Sequence, residues 1–183
     1  WEITIENRLI SDMNSSSLYS TLLAFDDSKS ALGWTSVNDV VMGGASCSQL
    51  NFNPDGHMEF TGEVSLKNNG GFASIRSAPN NYSIVNIKKL CLSILGDGHH
   101  YKLNLRMDNC PDGINYQALF TPPEKWSEVR FSYDDFKPCF HGHPISAPPL
   151  DFSRINQIGF MIADRQEGSF ALFIRWLRAE VYS

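Results

Sequence analysis

Four side chains stand out as able to hold a ligand: Arg76, Asn104, Arg106 and Gln117. A strand points successive side chains to opposite faces, so in 72–77 Ser74 and Arg76 share one face while Ala73 and Ile75 share the other. In 101–107 the same alternation groups Lys102, Asn104 and Arg106 against Tyr101, Leu103 and Leu105. Asn115 and Gln117 likewise oppose Tyr116, Ala118 and Phe120. Where these strands lie side by side, the four candidates line one outer sheet face. A guanidinium fork grips a carboxylate through paired hydrogen bonds, and amides supply both donors and acceptors. The face therefore suits hydroxyl-rich ligands, carboxylates or a polar protein surface. The plainer reading is a solvated face without a partner.

A second candidate is the Gly-rich loop at 37–48, with Asn38 and Asp39 as its binding residues. Gly43-Gly44 can turn several backbone N–H groups toward an anion. The plainer reading is a tight turn that tucks Met42 and Trp34 into the core. It is not a P-loop, because no Gly-Lys-Ser/Thr follows. Asn69-Gly70-Gly71 reads as a turn. Cys139, His141 and His143 would share one side of an extended segment and are zinc-competent types. Pro138, Gly142 and Pro144 favour an irregular loop there, so no metal and no cofactor are expected. The serine-nucleophile patterns GxSxG and SxxK are absent. Asp26-Asp27 and Asp134-Asp135 fall at turns, where carboxylates cap backbone N–H groups. A glycosidase-type carboxylate pair would reveal itself only by its separation. No catalytic residue is assigned, and a structural calcium ion in a loop stays open, without EF-hand spacing.

These residues must be positioned by short strands. Runs at 56–65, 72–77, 89–95, 101–107, 114–120, 127–132, 157–163 and 169–181 are separated by turn clusters such as Asn53-Pro54-Asp55-Gly56 and Gln166-Glu167-Gly168. No stretch keeps a helical i, i+3, i+4, i+7 pattern beyond about two turns. Such spacing predicts an all-β antiparallel sandwich or barrel, not βαβ units. The apolar phase names the core: Ile75, Leu92, Ile94, Leu103 and Leu105, then Ile158, Phe160, Ile162, Phe170, Leu172 and Ile174. Segments 37–48 and 138–151 read as loops. Residues 17–25 read as a helical turn or an edge strand. Residues 1–24 are thus expected to be an N-terminal leader or edge segment, and 25–183 a single domain.

The chain carries 15 Lys and Arg against 20 Asp and Glu, a formal net charge of −5, and its longest basic run is Lys88-Lys89. Phosphate neutralisation needs a basic stripe, so nucleic acid is not an expected partner. With 42% hydrophobic and only 19% charged residues, the composition fits a buried core and not disorder. No apolar run approaches the roughly 20 residues of a membrane span. The four cysteines lack CxxC spacing, which predicts reduced thiols, with Cys110–Cys139 as the pair to bridge if any does. Cys91, in the apolar run 90–95, reads as a buried thiol. The chain begins at Trp1, from which removal of an upstream segment is expected, and a signal or transit peptide stays open. The expected compartment is the cytoplasm, or an organelle matrix or periplasm if a targeting segment was removed.

Motifs then appear in order along the chain. They are Trp34-Thr35-Ser36-Val37-Asn38-Asp39-Val40-Val41-Met42-Gly43-Gly44-Ala45-Ser46, then Phe60-Thr61-Gly62-Glu63-Val64-Ser65, then Asn69-Gly70-Gly71-Phe72-Ala73-Ser74-Ile75-Arg76. Gly96-Asp97-Gly98 with Tyr101, Tyr116-Gln117-Ala118-Leu119-Phe120, Trp126 and Phe136 follow, and then Ile158-Gly159-Phe160-Met161-Ile162-Ala163-Asp164-Arg165-Gln166. The ordered set closely resembles the complex I intermediate-associated protein 30 family over about 25–181. Gly168-Ser169-Phe170-Ala171-Leu172 also fits, although family members often have Pro at the position of Ser169.

The resemblance implies a galactose-binding-domain-like jelly roll, related in architecture to carbohydrate-binding modules. It also implies assembly chaperones for respiratory complex I and plastid relatives in photosystem II biogenesis. This chain is similar to the compact bacterial members, mostly without assigned role. The implied function is a non-catalytic binding domain, an assembly factor whose partners are protein subunits or assembly intermediates of a respiratory or photosynthetic membrane complex. The alternative is a carbohydrate- or small-ligand-binding module, and a third is a hydrolase of unrecognised type. Exposed aromatics discriminate the first two. A sugar platform needs Trp or Tyr face-outward beside polar groups, whereas an assembly factor shows a broader apolar or Met-containing patch.

Overall fold

The computed structural model describes residues 18–82, 84–107 and 113–182. Residues 1–17 of the expected 1–24 leader or edge segment, Cys110 and most of the Pro111-Asp112-Gly113 turn lie outside them. Strands β1 (Leu18–Ala24), β2 (Thr35–Ser36), β3 (Cys47–Asn53), β4 (His57–Val64), β5 (Ala73–Arg76) and β6 (Ile87–Gly96) come first. They are followed by β7 (Tyr101–Arg106), β8 (Asn115–Phe120), β9 (Ser127–Phe131), β10 (Lys137–Phe140), β11 (His143–Pro144), β12 (Gln157–Ile162) and β13 (Gly168–Val181). The described residues form no α-helix, only short 3-10 turns between strands.

Alternating apolar residues give each strand one face to bury, and two sheets bury those faces against each other. One sheet runs β3-β4-β13-β6-β9, with β1 also on β13; the other runs β11-β10-β8-β7-β12-β5-β2. Every pairing is antiparallel. All eleven core residues named from the apolar phase are buried, none more than 4% exposed. Aromatic pairs such as Phe60–Phe170, with centroids 4.9 Å apart, fill the space between the layers.

β13 is long enough to take two partners on one edge. Its first half pairs with β4 and its second half with β1, while β6 runs along the other edge. A bulge between Ile174 and Trp176 marks the change, and Arg175 there accepts a hydrogen bond from the Phe25 N–H at 3.0 Å. Residues 18–24 are therefore strand, not helical turn.

Three local expectations need correction. Segment 138–151 is not wholly irregular, because β10 and β11 form a small hairpin turning at His141-Gly142. That turn separates Cys139 from His143 on two strands and removes the one-sided row. The loop at 37–48 ends inside β3, and its Met42 is 68% exposed, so the turn does not tuck it into the core. Trp34 does pack inward, stacked on Phe160 at 6.2 Å. Cys91 is buried but on the outward phase of β6, outside the core cluster. Cys47, Cys91 and Cys139 are free thiols.

Candidate functional site

The order β8-β7-β12-β5 brings the sequence-predicted polar stripe together. One row crosses the sheet, from Thr35 on β2 through Arg76, Gly159, Asn104 and Gln117 to Lys137 on β10. Arg106 lies one step along β7, beside Gln157. Their outward phase is fixed by what opposes it: Tyr101, Leu103, Leu105, Ile158, Phe160 and Ile162 are all buried in the core.

This face is concave and forms a cleft of about 470 Å3. Val37 and Met42 bound it on the β5 side, and His141 and Gly142 on the β10–β11 turn bound it on the other. Asn104 forms part of the floor and is only 9% exposed, yet its Oδ1 has no hydrogen-bond partner. A buried acceptor without a donor is costly, so such an atom marks a place where a ligand donor would be favoured. Arg106 Nε donates to Asn115 Oδ1 at 2.7 Å, which fixes the guanidinium against the sheet. Lys102 pairs with Asp164 at 2.8 Å on the rim. Arg76 is half-buried, and its side chain makes no hydrogen bond or ion pair among the described residues.

Asn38 and Asp39 stand apart from the cleft floor. Asn38 Oδ1 accepts from Ser48 Oγ at 2.8 Å and from the Ser74 N–H at 3.4 Å, tying the loop to β3 and β5. Asp39 has no exposed surface. Its carboxylate accepts from the Ser46 N–H and Oγ and from the N–H groups of Gly71 and Phe72, at 2.5–3.2 Å. The Gly43 and Gly44 N–H groups, expected to face an anion, bond the Val40 and Asp39 carbonyls instead, and of that segment only the Ser46 N–H reaches the carboxylate. Burial opposes its charge, but these donors outweigh burial and hold the carboxyl below its ordinary value. Gly44 and Gly70 permit the enclosure, since a Cβ on either would lie 2.3 or 2.5 Å from an Asp39 oxygen.

Asp97 does the same for a second loop. It accepts from the Ala171 N–H at 2.7 Å, the His99 N–H at 3.1 Å and the Tyr101 hydroxyl at 3.0 Å. Burial raises its carboxyl, and those donors bring it below its ordinary value. Among the described residues no three His, Cys, Asp or Glu side chains converge as a metal site requires.

Sequence reasoning passed over Gln157, Gly159 and Met161, which lie on the cleft face of β12. Their signal was present as the polar phase opposite Ile158, Phe160 and Ile162. It also considered His141 only as a metal ligand, whereas it lines the cleft.

The sequence profile described as "Complex I intermediate-associated protein 30 (CIA30)" matches residues 23–174. The chain belongs to the CIA30 family. No curated protein matches it at a comparable level. Among solved structures, this CIA30 chain is similar to the family 11 carbohydrate-binding module of the cellulosomal cellulase Lic26A-Cel5E of Clostridium thermocellum. That match has 16% identity and a TM-score of 0.68, covering 92% of this chain and 97% of that one. The same module in complex with a β-1,3-1,4-mixed-linked tetrasaccharide matches at 16% identity and a TM-score of 0.64, covering 88% and 94%. An agarase matches at 15% identity and a TM-score of 0.60, covering 90% of this chain and 25% of that one. At these identities the likeness establishes the jelly-roll sandwich. No helix among the described residues is long and apolar enough to cross a membrane.

Proposed function

We propose that this CIA30 domain is a non-catalytic assembly factor that holds a segment of a client subunit, from a respiratory or photosynthetic membrane complex, in the concave cleft. The lining of the cleft carries this reading. It has amides and guanidiniums that match peptide groups, with Met42 and Met161 as apolar contacts. Val40 and Val41, exposed by 60% and 73%, continue the apolar surface beside Met42. Phe72 and His141 are the aromatic residues of the lining, which among the described residues includes no Trp or Tyr. Sugar recognition leans on the flat platforms of those two side chains. Family membership supports a client from complex I assembly.

The second reading, a carbohydrate module, draws on the orphan Asn104 Oδ1 and the Gln117 amide, which suit hydroxyl groups. A photo-crosslinker at Gln117, compared with one at Glu128 on the opposite sheet, separates the two readings in native membranes of the source cell. Crosslinks from Gln117 alone to a subunit of a respiratory or photosynthetic complex are the expected result. Equal crosslinking from both positions, or glycan-array binding with no subunit crosslinked, would overturn the proposal.

A further inference from the structure

Resting on that capture reading, we infer that the cleft selects an acidic polypeptide segment. Arg76 takes a Glu or Asp carboxylate of the segment, and Asn104 Oδ1 takes one of its backbone N–H groups. Arg76 is a half-buried cation with no ion pair among the described residues, so its fork is available to a ligand. Asn104 Oδ1 is the complementary demand, a buried acceptor that lacks a donor. A free carboxylate would satisfy the arginine and be repelled by the amide oxygen. The occupant must therefore carry an N–H as well as a negative charge.

Charge points the same way. The lining contains Arg76, Lys102 and Arg106 against one acid, Asp164, which is already paired with Lys102. The chain as a whole is net negative, at −5. The cleft lining is thus net positive on a chain that is net negative, and its field attracts an acidic segment.

Spacing argues for a polymer. Arg76 and Asn104 sit two inter-strand steps apart, roughly 10 Å, with Gly159 between them. Gly159 places no side chain in that gap. Three residues of extended chain advance roughly 10 Å, so one peptide can cover both groups, whereas a small acid spans neither gap nor pair.

The test uses a blocked peptide alternating Ser and Glu, its Ser and Gln counterpart, and an oligogalacturonate, titrated by calorimetry into the intact protein. The Glu peptide should bind at least about tenfold tighter than the Gln peptide, with the advantage shrinking as salt rises. Arg76→Gln should bring the Glu peptide to the level of the Gln peptide, and Asn104→Asp should do the same by adding a repelling charge. Arg76→Gln should keep the melting midpoint of the parent, since that side chain holds nothing in place. Equal binding of the two peptides by the parent protein overturns the inference and leaves client capture through neutral contacts intact. Tighter binding of the oligogalacturonate than of the Glu peptide also overturns it, and reassigns the cleft to acidic sugars. Client capture itself stands or falls separately, on crosslinking from Gln117.

Discussion

Asp39 receives four hydrogen bonds and sees no solvent, so its charge is part of the fold. Its carboxyl is depressed when folded, and that of Asp97 is depressed in the same sense. A depressed folded value means stability that is fully present above the unfolded value and lost as pH falls through the folded one. The melting midpoint should therefore hold near neutrality and drop below about pH 4, the unfolded range of a carboxyl. Asp39→Asn turns an acceptor into a donor facing the Gly71 and Phe72 N–H groups. It should cost roughly 1.5–3 kcal/mol at neutral pH, read by denaturant titration, and flatten the acid limb. A parent midpoint unmoved in acid would contradict this account. The sequence marked Asp39 as a binding residue, and its enclosure was not legible there. Two of its donors come from Gly71 and Phe72, more than thirty residues away, and no local pattern announces such a meeting.

At the scale of elements, strong alternation made most strands readable, from β4 through β9 and again at β12 and β13. The strands passed over are those whose residues do not favour a strand by themselves. β3 reads Cys-Ser-Gln-Leu-Asn-Phe-Asn, and its polar residues form a strand because β4 supplies a full ladder beside it. β10 contains Pro138, which confines it to a place near the sheet edge, with only the short β11 beyond. The polar stripe was readable for the same reason as the core, since one alternation defines both. The order of strands that turns the stripe into a row was not, because pairing between β12 and its neighbours spans long stretches of chain. β1 offers a direct check on the bulge in β13. Removing residues 1–24 should leave the amides of 176–181 that face β1 exchanging faster, while those of 168–174, held by β4, keep their protection. Uniform protection across β13 would show that β1 contributes nothing to the sheet.

For the whole molecule, a single contiguous core joins both layers, and the cleft lies outside it. Unfolding should then be one cooperative transition, with Trp fluorescence and far-ultraviolet dichroism coincident. Phe160 and Leu103 are fully buried on neighbouring strands. Truncating either to Ala should cost roughly 2–5 kcal/mol, from lost transfer energy plus the cavity left behind. An unchanged midpoint for both would mean that the inner and outer faces had been exchanged. The core and the cleft thus lie on opposite faces of the same strands, and a substitution can alter one without the other.

The position of β12 and β13 in chain order has a consequence for how the protein is made. β13 lies between β4 and β6 and β12 between β7 and β5, so the centre of each sheet comes from strands that follow all the others. On the ribosome, β4 has β3 beside it but emerges more than a hundred residues before β13, a wait of several seconds or more at about 5–20 residues per second. Throughout that interval the nascent chain exposes apolar strands with open edges, and only the arrival of 157–181 closes both layers together. The domain is therefore committed to folding late and nearly all at once, with a long period in which holdase chaperones can compete for it. A premature stop at 157 would remove the middle of both sheets, and one at 165 would remove β13 alone and part β4 from β6.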